Sequence, residues 1–130
     1  MATDLTYLTY CALLTAALWI PYIASQVATN GPLQPGNYRD PTPRPVPLWG
    51  RRADRAYLNA VEVFAPFAAL VIAAHLLGKT NTRVDFCVQC FFWLRLVHAI
   101  VYLAAIPYVR TLVFTLGFLA ELGIFWEIVK

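Results

Sequence analysis

Apolar residues fall along this 130-residue chain in four long blocks, and not in the short alternating runs that are typical of half-buried β-strands. Each block is close to the roughly 20 residues that an α-helix needs to cross a hydrocarbon layer about 30 Å thick. The pattern predicts a single all-α domain over residues 1–130, an integral membrane bundle of four transmembrane helices. The predicted helices cover about residues 5–27, 53–77, 84–105 and 109–129.

The connections between the blocks differ in length. The first, residues 29–52, contains six prolines. Proline lacks the amide donor and clashes with the preceding helical turn, so we expect this segment to lie outside the hydrocarbon in extended and turn conformations. The other two connections, around residues 78–83 and 106–109, are short, which favours antiparallel neighbouring helices.

Composition and charge agree with a membrane protein. The chain is 60% hydrophobic and 13% charged. Its formal net charge of +3 does not indicate nucleic-acid binding, because the basic residues flank the predicted helices and form no continuous patch. The arginines of residues 29–52 predict, by the positive-inside rule, a cytoplasmic first connection with both termini on the opposite side. The compact connections favour a bacterial inner membrane.

The second block carries three polar residues, Arg55, Asn59 and Glu62, within an apolar stretch. Positions three and four apart lie on the same face of an α-helix. A charged side chain at membrane depth costs about 2.5 to 17 kcal/mol, depending on the measure, so it persists where protein or trapped water receives it. This stripe is therefore a candidate binding site.

A second polar stripe, Arg95, His98 and Tyr102, has the same spacing in the third block. One such residue alone is explained by interhelical hydrogen bonding or by an aromatic belt. Two stripes that together hold two arginines, a histidine and a carboxylate favour a shared polar site. Because Glu62 lies about 10 Å along the helix axis from Arg55, we expect its countercharge to come from Arg95 or His98.

The remaining reactive residues give weaker signals. Cys87 and Cys90 form a C-x-x-C pair, but no redox-domain pattern or second ligand pair accompanies it. Together with Cys11 they are interpreted as buried or lipid-facing thiols, and no metal site is predicted. His75 is interpreted as an interfacial residue. Glu121 interrupts the apolar fourth block and needs a partner if it is buried.

Two sequence runs resemble a known family. The run R-A-Y-L-N-A-V-E over residues 55–62, followed by P-F at 66–67, resembles the R-A-x-x-N-x-x-E…P-F signature of the membrane-associated proteins in eicosanoid and glutathione metabolism, the MAPEG family. The pattern R-x-x-H-x-x-x-Y over residues 95–102, followed by R-T at 110–111, is similar to the third and fourth helices of the prostaglandin E synthase branch. The agreement extends over the predicted helices two to four.

The resemblance implies a homotrimer of four-helix bundles that holds glutathione, a co-substrate, between neighbouring subunits near the cytoplasmic side. The arginine that matches Arg110 lies near the glutathione thiol in this family, which implies a catalytic role. A permanently charged guanidinium beside the sulfur would raise the thiolate fraction. The implied glutathione-binding residues are Arg55, Asn59, Glu62, His98 and Tyr102.

The function that follows from the resemblance is a glutathione-dependent transferase or peroxidase that acts on a small lipophilic electrophile from the bilayer. Two residues depart from the family pattern: Ala28 stands where active relatives usually carry a basic residue, and Phe114 replaces a tyrosine of the prostaglandin branch. They leave open a non-catalytic member of the same fold that binds lipid or a partner protein. A small multidrug-type exporter is a third alternative, but its coupling acid is expected in the first helix, where Asp4 lies only at the edge.

Overall fold

The computed structural model describes residues 2–32, 34–40, 42 and 44–130, apart from the side chains of Asn37 and Tyr38. Four spans in this part of the chain are long and apolar enough to cross a membrane, as predicted. The helices are α1 Thr3–Ala17, α2 Trp19–Asn30, α3 Pro35–Arg39, α4 Leu48–Leu76, α5 Thr82–Leu103 and α6 Val109–Val129.

The first span, Thr3–Asn30, is broken at Leu18. Pro21 has no N–H to donate to the carbonyl of Ala17, and its ring clashes with that carbonyl. The backbone therefore leaves the helix for one residue and continues as α2. The single helix predicted over residues 5–27 is in fact two helical segments, α1 and α2, and α2 extends three residues further than predicted.

The first connection is partly helical, which corrects the expectation of extended and turn conformations throughout residues 29–52. The short helix α3 starts with Pro35, and proline suits this position because the first N–H of a helix has no helical partner. Helix α4 begins at Leu48, directly after Pro47 and five residues earlier than predicted. The connection outside the long helices is therefore reduced to residues 31–47.

A tight turn joins α5 and α6. Ala105 and Tyr108 have positive φ angles of 59° and 66°, which residues with a side chain rarely adopt. Tyr108 is the centre of a γ-turn, in which the N–H of Val109 donates to the backbone oxygen of Pro107 at 2.7 Å. Helix α5 ends at Leu103, two residues before the predicted end, whereas α6 starts at Val109 as predicted. The turn brings Arg110, in the first turn of α6, back over the end of α5.

The buried core lies where α4, α5 and α6 meet and α1 covers them. Phe67 of α4 stacks on Phe91 of α5, with ring centroids 3.8 Å apart and planes 9° apart. Gly117 of α6 packs against Phe91, and a Cβ added at Gly123 would lie 2.8 Å from the Sγ of Cys87. Small residues at these contacts let the helix backbones approach closely, as is typical of packing in membranes. All three cysteines are free thiols.

At one end of the bundle, α1 and α5 begin and α4 and α6 end; we call it the terminal end. Glu127 is only 4% exposed there. Its carboxylate accepts a hydrogen bond from Asn81 Nδ2 at 2.8 Å and pairs with Lys130 at 2.9 Å and with Arg83 at 3.4 Å. The side chain of Asn81 also caps α5 by accepting from the backbone N–H of Val84. One carboxylate thus joins the ends of two helices.

A second pair connects two further helices at the terminal end. Asp4 of α1 is 1% exposed, and its Oδ2 lies 3.2 Å from Nδ1 of His75 of α4. No local pattern indicated a partner for His75, because the partner lies 71 residues away in the chain. The pair attaches the first span to α4.

Candidate functional site

The opposite end of the bundle, where α2 and α5 end and α4 and α6 begin, holds most of the predicted site residues; we call it the loop end. Arg52 Nε donates a hydrogen bond to the backbone oxygen of Leu103 at 3.1 Å, which joins α4 to the last residue of α5. Because the two helices run antiparallel, residues early in α4 lie beside residues late in α5. This geometry brings the two polar stripes together.

Arg95 and Asn59 form the direct contact between the stripes. Arg95 is 8% exposed, and its Nη2 donates to Oδ1 of Asn59 at 2.7 Å. The sequence instead suggested Arg95 or His98 as the countercharge of Glu62. Glu62 follows Asn59 by three residues, which rotates it about 60° around the helix axis. Within one chain, therefore, Asn59 meets α5 and Glu62 does not.

His98, Tyr102 and Arg110 form a stack that runs from the interior to the surface. His98 is 2% exposed, and its ring centroid lies 5.6 Å from that of Tyr102. The Arg110 guanidinium carbon lies 4.5 Å from the centroid of the Tyr102 ring, a cation–π contact. Phe114 flanks His98 at 6.3 Å between ring centroids. Arg110 is itself exposed, and no carboxylate in the described part of the chain lies within 4 Å of it.

The residues of the first stripe lie on one face of α4, because the helix is unbroken through Arg55, Asn59 and Glu62. Asn59 is half-buried, whereas Arg55 and Glu62 are exposed. Among the residues that the structure describes, Glu62 has no hydrogen-bond or ion-pair partner. The buried positions in this part of α4 are Gly50, Ala53, Ala56 and Ala60.

Of the six predicted site residues, four lie around one junction of α4, α5 and α6, and two lie on the open flank of α4. In a comparison with known families, the sequence profile of the MAPEG family matches residues 5–130. The chain belongs to the MAPEG family. No curated protein and no solved structure matches it. This MAPEG protein is an integral, multi-pass membrane protein of a family associated with eicosanoid and glutathione metabolism.

Glu121 is a buried residue of this MAPEG protein that sequence reasoning left without a partner. It is 8% exposed, and no basic group of the described residues lies within 4 Å of its carboxylate. Oε1 of Glu121 and Nδ1 of His98 are buried atoms that lack a hydrogen-bond partner among the described residues. The only sequence signal was a carboxylate in the apolar middle of the fourth block, which indicates that a partner is needed but not which one.

Proposed function

We propose that this MAPEG protein is a glutathione-dependent membrane transferase or peroxidase that acts on a lipophilic electrophile. The observation that carries the proposal is the set of exposed charges on Arg55, Glu62 and Arg110, which lie within membrane-length helices and meet no opposite charge within 4 Å in the described part of the chain. Charged groups without a partner are costly at membrane depth. In the proposal, a ligand and a second subunit receive them.

Glutathione has the complementary groups, two carboxylates and one ammonium. Arg55 binds a carboxylate through charge-assisted hydrogen bonds, and Glu62 accepts from the ammonium. Because Oδ1 of Asn59 is already bonded to Arg95, the amide nitrogen of Asn59 is left to donate to the ligand. In the proposed site, His98 and Tyr102 complete the set of polar residues from the neighbouring junction of α4, α5 and α6.

We further propose a homotrimer in which a neighbouring subunit covers the open flank of α4. Large apolar residues next to Glu62 on this helix, Leu58 and Val61, are exposed in the single chain and supply the apolar part of such a contact. The carboxylate would then lie between subunits instead of in lipid. In this arrangement the first connection faces the cytoplasm of a bacterial inner membrane, where glutathione is dissolved.

In the proposed mechanism, Arg110 stabilises the glutathione thiolate, which is the reactive nucleophile. The Tyr102 ring supports the guanidinium without neutralising it, so its full charge acts on the sulfur. A tenfold gain in the thiolate fraction corresponds to about 1.4 kcal/mol. The sulfur then attacks the electrophilic atom of a substrate that enters from the bilayer, and the leaving group departs with the electron pair of the broken bond. A site near the interface brings the two reactants together from water and from lipid.

The test is to titrate the purified protein with glutathione and to measure conjugation of a reactive aryl halide. We expect binding at millimolar concentration or below. Arg110→Ala should abolish conjugation and leave the protein assembled. Arg83→Ala, which removes an arginine from the terminal end, is the matched control and should retain full turnover. If millimolar glutathione does not bind to the wild-type protein, the proposal is wrong.

A non-catalytic MAPEG protein is the second candidate, and the observation that favours it is Phe114. Its ring lies beside His98 and carries no hydroxyl to donate to a ligand. In that case Asn59 and Arg95 serve helix packing alone. Asn59→Ala would then disturb assembly, whereas Arg110→Ala would change no measurable turnover.

A further inference from the structure

A pocket of about 420 Å³ opens at the loop end between α2, the first connection and α4. Three arginines line it: Arg44 from the connection, and Arg51 and Arg55 from the first two turns of α4. With Asp54, the one carboxylate among the described lining residues, the pocket carries a net charge of +2. No described carboxylate comes within 4 Å of the three guanidinium groups. The pocket therefore favours an anionic ligand.

A ladder of hydrogen bonds along α2 holds Arg44 in this pocket. Gln26 Nε2 donates to the hydroxyl of Tyr22 at 2.7 Å, and Asn30 Nδ2 donates to Gln26 Oε1 at 3.2 Å and to the backbone oxygen of Pro45 at 2.9 Å. Arg44 Nη1 in turn donates to the backbone oxygen of Asn30 at 3.3 Å. This bond uses one of the five N–H donors of the guanidinium, so the others are available to a ligand.

The same part of α4 is packed closely on α2, which fixes the positions of the arginines that follow. A Cβ added at Gly50 would lie 2.8 Å from the Cβ of Ser25 and 3.2 Å from that of Val46. Ser25 is fully buried. The end of α2, the end of the connection and the start of α4 are therefore packed closely against one another beside the pocket.

We propose that Arg44 and Arg51 join Arg55 in binding the glycine carboxylate of glutathione. The assignment rests on the proposed function and adds two residues from outside the polar stripes to that site. Arg55 lines the pocket together with Arg44 and Arg51, so a carboxylate that Arg55 binds lies within reach of all three guanidinium groups. With the ammonium at Glu62, the glycine carboxylate is the end of glutathione that is free to reach the pocket. Arg44 also lies against the last turn of α2, where Ala28 supplies no charge.

The test compares glutathione with its glycine monoethyl ester, which keeps the thiol and the γ-glutamyl group but has no glycine carboxylate. Both are titrated by calorimetry into the full chain in phosphatidylcholine nanodiscs. We expect the wild-type protein to bind glutathione about tenfold more tightly than the ester, as for the loss of one charge-assisted hydrogen bond. Arg44→Gln and Arg51→Gln should each weaken glutathione binding about tenfold and leave ester binding unchanged.

Two further variants separate ligand contact from positioning. Asn30→Ala removes the side chain that holds the connection, and we expect it to reduce the discrimination between glutathione and ester although it does not contact the ligand. Arg39→Gln removes an exposed arginine of the same connection that does not line the pocket, and it should leave both affinities unchanged. Thermal unfolding in detergent verifies that each variant is folded.

Each outcome separates this assignment from the proposed function. Equal affinity of the wild-type protein for the two ligands, or unchanged discrimination in both Arg44→Gln and Arg51→Gln, overturns the assignment alone. Binding of neither ligand overturns the proposed function as well. If the arginine variants affect binding only in nanodiscs made of equal parts of phosphatidylcholine and phosphatidylglycerol, the pocket holds a lipid phosphate and the assignment is wrong.

Discussion

At the terminal end, the basic side chains of Arg83 and Lys130 pair with the buried carboxylate of Glu127. At the loop end, the arginines that have a described partner use groups without a negative charge. These pairs are Arg44 with the backbone oxygen of Asn30, Arg52 with that of Leu103, Arg95 with the amide of Asn59, and Arg110 with the ring of Tyr102.

The contrast between the two ends shows that a guanidinium can be fixed in place without being neutralised. A carboxylate partner would position the group equally well, but it would also compete with any anionic ligand. Neutral acceptors leave the positive charge available to a ligand. This arrangement costs free energy, because an uncompensated charge at membrane depth is unfavourable. At the terminal end, the charged side chains pair with one another and join helices. At the loop end, the arginines are held by neutral groups, and their charge stays available to bind another molecule.

The largest expected effect is at the terminal end. Glu127→Ala removes the common acceptor of Asn81, Arg83 and Lys130, which joins the ends of α5 and α6, and we expect a larger loss in the free energy of unfolding than from the variants below. Denaturant titration in detergent measures it. Glutathione affinity should not change, because the loop end is untouched. Weakened glutathione binding with wild-type stability would contradict the division between the two ends.

Asn59→Ala comes next, and it should affect stability and binding together. It leaves the buried guanidinium of Arg95 without its acceptor, which costs about 1.5–3 kcal/mol. The double variant Asn59→Ala/Arg95→Met should recover part of this stability, because it removes the unpaired charge as well. Additive losses in the unfolding free energies of the single and double variants would show that the two residues are not coupled.

A smaller effect is expected from Gly50→Ala, which should cost about 1–2 kcal/mol, because its Cβ overlaps Ser25 where α2 meets α4. Gly117→Ala is the matched control: its Cβ would meet Phe91 at an ordinary 3.9 Å, and alanine favours the helix by about 1 kcal/mol. Unfolding free energies of the two variants compare them directly. Equal effects would mean that the close approach at the loop end is not rigid.

The smallest effect on stability should come from Arg51→Gln. The residue is exposed and has no ion-pair partner among those described, so we expect a change within about 0.5 kcal/mol. The same variant is expected to weaken glutathione binding, which separates it from the terminal-end variants. A loss of stability comparable to that of Glu127→Ala would show that the arginines of the loop end stabilise the fold.

Much of the fold follows from hydrophobic length alone, because four apolar blocks of about 20 residues allow few other structures in a membrane. The break at Leu18 was also readable in principle, since Pro21 removes a helical hydrogen bond. The beginning of α4 at Leu48 was not, because prolines before it lowered the expectation of helix. The hydrophobic pattern predicts the presence of a helix more reliably than the residue at which the helix begins.

The site could be predicted only as two stripes. The structure brings the two stripes together through Asn59 and Arg95, but the choice of partners depends on rotations of about 60° that the spacing does not resolve. This is why Asn59, and not Glu62, meets Arg95. The position of Arg44 depends on where the first connection docks on α2, which is decided by side-chain hydrogen bonds such as those of Asn30 and carries no periodic signal.

The interruption at Leu18 also divides the first span mechanically. Helix α1 packs against α4 and α5, whereas α2 packs chiefly on α4 at the loop end. With one backbone hydrogen bond missing at Pro21, the two halves meet at a single non-helical residue, Leu18. Each half is therefore held by contacts of its own, α1 by the Asp4–His75 pair and α2 by the close approach of Ser25 to Gly50.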